Sequence, residues 1–335
     1  YLLEEFRGIT SNFSDAVINF GSAFVGALTF AVTDSHWFNA VEAEVYAMST
    51  FFTGIVVWLM LVWARKEGTP GNVRYIIIIA YMIGIATGIH LLNLLTLPFL
   101  ALIIYFKKRE FTVPSFLLLI PIPLIVYLII YQGIIKGLPN IAQSFGVGVA
   151  IFMVFAIAVG MFICIRDKYY IGATIFTSFF LVIIGYSTYA SIFIRAQQEP
   201  FINENDPSTL SKAISYLNRE QYGDWSITDR AQSLKNSNYA QRWTNNRQNP
   251  TAQDVRNFVI DYQFKEMYLR YFAWQFIGRG ENNWPLLSKS GNYIKSLDGI
   301  NPGRYLIPLA FILGMFGIYY HFKRDWKRAL AILSL

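Results

Sequence analysis

Sulfur chemistry is nearly absent from this chain: its 335 residues hold one cysteine, Cys164. One thiol excludes an internal disulfide framework and a cysteine-based zinc site, and in an apolar run it reads as a small buried hydrophobe. Histidines number three, and charged residues make up 15% of the chain where soluble domains carry about 25%. Also missing are an HExxH pair, a glycine-rich phosphate loop and a Gly-x-Ser-x-Gly elbow, so zinc peptidases, P-loop enzymes and serine hydrolases find no support. The first residues carry Glu4, Glu5 and Arg7 and do not form a cleavable signal. With Tyr1 in place of an initiator methionine, the sequence is expected to begin inside a longer protein.

What the chain has in abundance is apolar surface: 54% of it is hydrophobic and 17% aromatic. Apolar runs fall at 16–33, 45–64, 75–91, 92–106, 115–132, 145–165, 170–191 and 305–320. Most are long enough for the ~20 residues that cross a bilayer as a helix. The runs at 75–91 and 92–106 adjoin and read as a helical hairpin, and 329–335 reads as the start of a further span. The spacing thus predicts eight spans and part of a ninth.

Loop charge sets the orientation. Arg65, Lys66, Arg74, Lys107, Lys108, Arg109, Arg166, Lys168, Lys323, Arg324, Lys327 and Arg328 fall in one alternate set of loops. The opposite short loops hold only Lys136. By the positive-inside rule the first set faces the cytoplasm. That asymmetry accounts for much of the +7 net charge, and no nucleic-acid partner is required.

Three regions then lie on the outer face: Thr33–Glu44, the hairpin tip near His90, and the segment 195–303. The last holds 24 of the 49 charges and is expected to form a polar cap between a bundle at 1–194 and a C-terminal part at 304–335. Within it, Asp206 and Pro207 are expected to start a helix that stops near Gly223, and 224–254 reads as loop. Residues 256–277 read as an aromatic-rich interfacial helix. Gly133–Phe145 reads as a short outer loop, and Pro121 and Pro123 are expected to kink or break the span that holds them.

Ionisable groups at a membrane surface are costly unless paired, hydrated or used. Asp34, Glu42, Glu44 and His36 crowd one outer turn, where a carboxylate could serve as general base to a hydroxyl or bind a sugar or a divalent ion. If 37–48 were helical, Glu42 and Tyr46 would share one face and Trp37 and Glu44 the adjacent one. His90, with Asn93 a turn on, is a candidate donor to a phosphate or sugar oxygen, or a buried histidine bonded to a neighbouring helix. In the cap, Arg219, Arg270, Arg279, Trp274 and the Asn282-Asn283-Trp284 turn are candidates for anion and carbohydrate contact, or simply solvated residues.

Four segments carry a resemblance: Phe30–Ser49, Gly84–Asn93, Ile214–Gly223 and Tyr271–Arg279. They resemble a bacterial multi-pass family that is similar to the eukaryotic transmembrane protein O-mannosyltransferases, within the GT-C glycosyltransferases. The resemblance implies an all-α, GT-C-like polytopic helical bundle in the bacterial inner membrane. It implies transfer of a mannose-like hexose from a polyprenyl-phosphate donor to Ser or Thr of secreted acceptor proteins, on the outer face and with inversion. Asp34, Glu42, Glu44 and His90 would be catalytic; His36, Trp37, Tyr46, Asn93, Arg219, Arg270, Trp274 and Arg279 would bind substrate. No resident metal is implied, although a divalent cation is compatible with the carboxylates. This family's acidic first-loop motif has no counterpart before Asp34, so the main catalytic acid is expected upstream of the sequence. The alternatives are a non-enzymatic subunit of an export or surface-assembly complex and a lipid-linked saccharide transporter.

Overall fold

The computed structural model describes residues 2–42, 44–218, 220, 229–235, 240–245, 247, 249–279, 300 and 307–335. Among them the chain is all-α, with one isolated antiparallel bridge between Arg279 and Ile300. In hydrocarbon every backbone N–H and C=O needs an internal partner, and only a helix supplies one from a single segment. This is why the Ile-rich run 75–79, strand-like by propensity, is helical here.

The helices are α1 (Leu2–Arg7), α2 (Phe13–Ala31), α3 (Asp34–Val41), α4 (Tyr46–Arg65), α5 (Val73–Ile89), α6 (Thr96–Lys108), α7 (Val113–Leu119), α8 (Pro121–Leu128), α9 (Leu138–Phe145), α10 (Val147–Arg166), α11 (Tyr170–Tyr186) and α12 (Ala190–Ala196). They are followed by α13 (Leu210–Asn218), α14 (Arg230–Lys235), α15 (Ala240–Thr244), α16 (Ala252–Asn257), α17 (Arg270–Phe276) and α18 (Leu309–Leu333). Among the described residues, six helical stretches are long and apolar enough to cross a membrane: Phe13–Ala31, Tyr46–Arg65, Leu91–Lys108, Val113–Phe145, Val147–Arg166 and Tyr170–Ala196. Val73–Ile89 is apolar but shorter. This is a polytopic helical bundle. No apolar side chain of α2 or α10 is buried, as lipid-facing helices require.

Several sequence expectations are corrected. Gly133–Phe145 is not a loop: a π-helix at Ile129–Gly137 passes directly into α9. Glycine and proline suggested a turn, but Pro139 occupies the first turn of α9, where a missing N–H costs nothing. At Pro121 and Pro123, by contrast, the helix is interrupted at Ile120, between α7 and α8, as those prolines lead one to expect. Asp206 is not an N-cap, since its φ of +39° is left-handed; it pairs with Lys212, and α13 starts at Leu210. Short helices α14, α15 and the start of α16 replace part of the loop expected at 224–254. Of the 305–320 run, 309–320 lies in α18 together with the basic stretch after it, and the backbone of α18 breaks at Asp325 (φ −149°, ψ 76°).

Two compact units organise the chain. One gathers Tyr1–Asn12, Ala43–Gln221 and Tyr320–Leu335; the other gathers Phe13–Glu42 and Tyr222–Tyr319. The first has an apolar core in which Val56, Met60 and Trp63 of α4 meet Ile79 and Ile83 of α5 and Leu97, Phe99 and Leu100 of α6. Helix α5 packs on both α4 and α11. At the α5–α11 crossing, a Cβ on Gly84 would stand 2.4 Å from the Val182 carbonyl oxygen, and one on Gly185 would stand 2.6 Å from that of Tyr81. Without a hydrophobic drive between helices in lipid, such close backbone approach is what holds them together. Gly84→Ala is therefore expected to destabilise the bundle by about 1–3 kcal/mol. Thermal unfolding in detergent checks this; an unchanged midpoint would show that the crossing is looser.

Candidate functional site

The candidate residues fall on both units and are described unit by unit. In the first unit the hairpin tip is a polar knot. Helix α5 ends at Ile89, His90 turns extended (φ −153°, ψ 128°), and a 3₁₀ turn at Leu91–Leu95 leads into α6. Asn93, 2% exposed, supplies most of the bonds. Its Nδ2 donates to Ser49 Oγ (3.1 Å), to the Ala86 carbonyl (3.2 Å) and to the His90 carbonyl (2.9 Å), while its Oδ1 accepts from Thr53 Oγ1 (3.1 Å). Asn93 therefore ties the tip to α4 and α5 together.

His90 is oriented by this framework. Its Nδ1 accepts the Leu92 N–H at 3.2 Å and caps the 3₁₀ turn. An accepting Nδ1 leaves the ring proton on Nε2, the nitrogen at the far edge. Its ring lies 5.4 Å from that of Tyr46, which opens α4. His90 is half-buried and Glu44 is exposed, two residues before α4. This arrangement presents an imidazole N–H donor beside a phenol.

The second unit holds Asp34, His36, Trp37 and Glu42. Helix α3 opens with Asp34, a carboxylate in the first turn where the helix dipole favours it. The His36 ring lies 4.4 Å from that of Phe30. Trp37 is exposed. Glu42 is extended (φ −82°, ψ 153°) and closes α3, its N–H bonded to the Phe38 carbonyl at 3.1 Å. The chain is thus not helical through 37–48, so Glu42 and Tyr46 do not share a helix face, nor do Trp37 and Glu44.

Helix α17 packs on α3 within this unit. The Arg279 guanidinium stands 5.2 Å from the Phe38 ring and 4.9 Å from that of Trp274; Arg270 stacks on the other neighbours, 5.0 Å from Trp274 and 5.5 Å from Tyr271. Arg270 and Trp274 are buried, and the Trp274 indole N–H has no hydrogen-bond partner among the described residues. Such a cluster can stack on a sugar face and meet an anion, as Arg and Trp do. Arg219 and the Asn282-Asn283-Trp284 turn lie outside the described residues.

Sequence reasoning missed Ser49 and Thr53, the α4 partners of Asn93. Their i, i+4 spacing in an otherwise apolar run was the available signal. It also missed Phe38 beneath Arg279, and Glu266, 1% exposed with Arg242 at 4.0 Å. Near this helix Asp254 completes a capping box: the Thr251 N–H and hydroxyl, then the Arg247 guanidinium, hold its carboxyl below the usual aspartate range. No group of three His, Cys, Asp or Glu side chains gathers as a metal-ligand set among the described residues.

Residues 2–113 match the family model described as the protein O-mannosyl-transferase TMEM260 N-terminal domain. That match takes in Asp34, His36, Trp37, Glu42, Glu44, Tyr46, His90 and Asn93, and leaves Arg219, Arg270, Trp274 and Arg279 outside it. No curated protein and no solved structure matches the chain.

Proposed function

We propose that the chain is a membrane-embedded protein O-glycosyltransferase of the GT-C kind. It takes a mannose-like hexose from a polyprenyl-phosphate donor and places it on Ser or Thr of exported proteins. The observation that carries this reading is the match of residues 2–113 to an O-mannosyl-transferase domain, over the stretch that holds the oriented His90 and the carboxylates. The twelve basic loop residues support a bacterial inner-membrane orientation with the 195–303 segment on the periplasmic face.

In the proposed reaction the acceptor hydroxyl oxygen attacks the anomeric carbon as the bond from that carbon to the phosphate oxygen breaks. The configuration inverts, and the hydroxyl proton passes to a carboxylate. Glu44, Asp34 or Glu42 can take that proton or orient the hydroxyl. His90 Nε2–H donates to the phosphate oxygen that gathers charge as the sugar leaves. Tyr46 and Asn93 position His90. His36, Trp37, Arg219, Arg270, Trp274 and Arg279 contact sugar, phosphate or acceptor.

Glu44→Gln removes a proton acceptor while keeping size. If Glu44 is the base, transfer to a secreted acceptor falls by about 10²-fold or more, within the range of a positioned proton-transfer group. Product formation by mass spectrometry checks it. Full activity in Glu44→Gln would take this residue out of the reaction.

A further inference from the structure

The first unit also holds a cavity, apart from the hairpin tip. Helices α5, α6, α7, α8 and α11 line a cavity of about 660 Å³. Its walls are aliphatic, among them Ile79, Ile83, Leu100, Leu119, Val126 and Val182. Along α6 the lining runs from Leu97 to Lys108, roughly 16 Å at helical rise, which is about one leaflet of a bilayer whose core is ~30 Å thick.

One end of this cavity is polar and cationic. Lys108 and Arg109 lie there with Tyr105 and Ser115, whose hydroxyls bond to each other at 2.6 Å. Lys108 pairs with Glu67, and Glu110 follows Arg109 in the chain. The exposed Arg109 guanidinium has no ion pair among the described residues. In the apolar wall, the buried Ser178 hydroxyl has no hydrogen-bond partner among the described residues.

We propose that the cavity holds an acyl chain of an anionic phospholipid from the leaflet that the basic loops face, with its phosphate at Lys108 and Arg109. Charge complementarity selects this occupant. A zwitterionic lipid brings no net charge to the cationic mouth. A polyprenyl phosphate entering from the opposite leaflet would place its uncharged tail end there.

Native mass spectrometry of the full-length protein in a neutral detergent tests this with dioleoylphosphatidylglycerol, dioleoylphosphatidylcholine and a polyprenyl phosphate as probes. The phosphatidylglycerol is expected to be retained in preference to the other two. Arg109→Gln alone should weaken it several-fold, and with Lys108→Gln about tenfold or more, since each basic residue near an anionic surface is worth about 1 kcal/mol. Both side chains are exposed, so the thermal midpoint should hold. Ala101→Phe, which fills the cavity, should displace the lipid. Equal retention of the zwitterionic lipid, tighter retention of the polyprenyl phosphate, or unchanged binding in Arg109→Gln would each overturn the proposal.

Discussion

His90→Ala is expected to slow sugar transfer by about 10²–10³-fold, the scale of removing one donor to a developing oxyanion. The Leu92 N–H fixes Nδ1 as an acceptor, so Nε2 carries the proton and can donate outward. Alanine removes both the cap and the donor, and a loss of activity alone would not separate them. His90→Asn separates the two, because its short side-chain oxygen can still cap the turn while its amide N–H falls short of the position of Nε2. That variant should unfold with the parent's midpoint and be as slow as the alanine. A folded His90→Asn with full activity would exclude His90 from the chemistry and leave it a turn-capping residue.

The second large effect is on stability. Asn93→Leu should cost about 2–4 kcal/mol, because it strips Ser49 and Thr53 of a buried partner at once. The Ala86 and His90 carbonyls are less affected, since they also accept the backbone N–H of His90 at 2.8 Å and of Asn93 at 3.1 Å. Chemical unfolding in detergent reads the cost. A double-mutant cycle with Thr53→Val should show a coupling of about 1 kcal/mol. A stability change below about 0.5 kcal/mol, the size of an ordinary surface substitution, would mean that water replaces the amide.

The bundle was legible because lipid imposes one rule on every span: a long apolar run must be helical. The run at 45–64 is α4 (Tyr46–Arg65) within a residue at each end, and the turn between 75–91 and 92–106 falls at His90. The hairpin's polar candidates were legible for the same reason, since His90 and Asn93 stand out in an apolar stretch. Local signals failed where tertiary context sets the backbone. Gly133, Gly137 and Pro139 resemble a turn, yet the π-helix and a first-turn proline absorb them. Asp206-Pro207 has the composition of a helix start, but Lys212 claims the carboxylate instead. The extended backbone at Glu42 could not be read from periodicity, because nothing in 37–48 departs from a helical pattern. The Phe38–Arg279–Trp274 stack joins residues far apart in sequence, and no spacing announces it.

Transfer itself is the decisive measurement. The purified full-length protein in liposomes, given a polyprenyl-phosphate hexose and a Ser/Thr-containing segment of a secreted protein, should yield an acceptor heavier by one hexose. The sugar should be O-linked, with inverted anomeric configuration. A folded, donor-bound protein that leaves the acceptor unmodified, while the donor stays intact, would contradict the account.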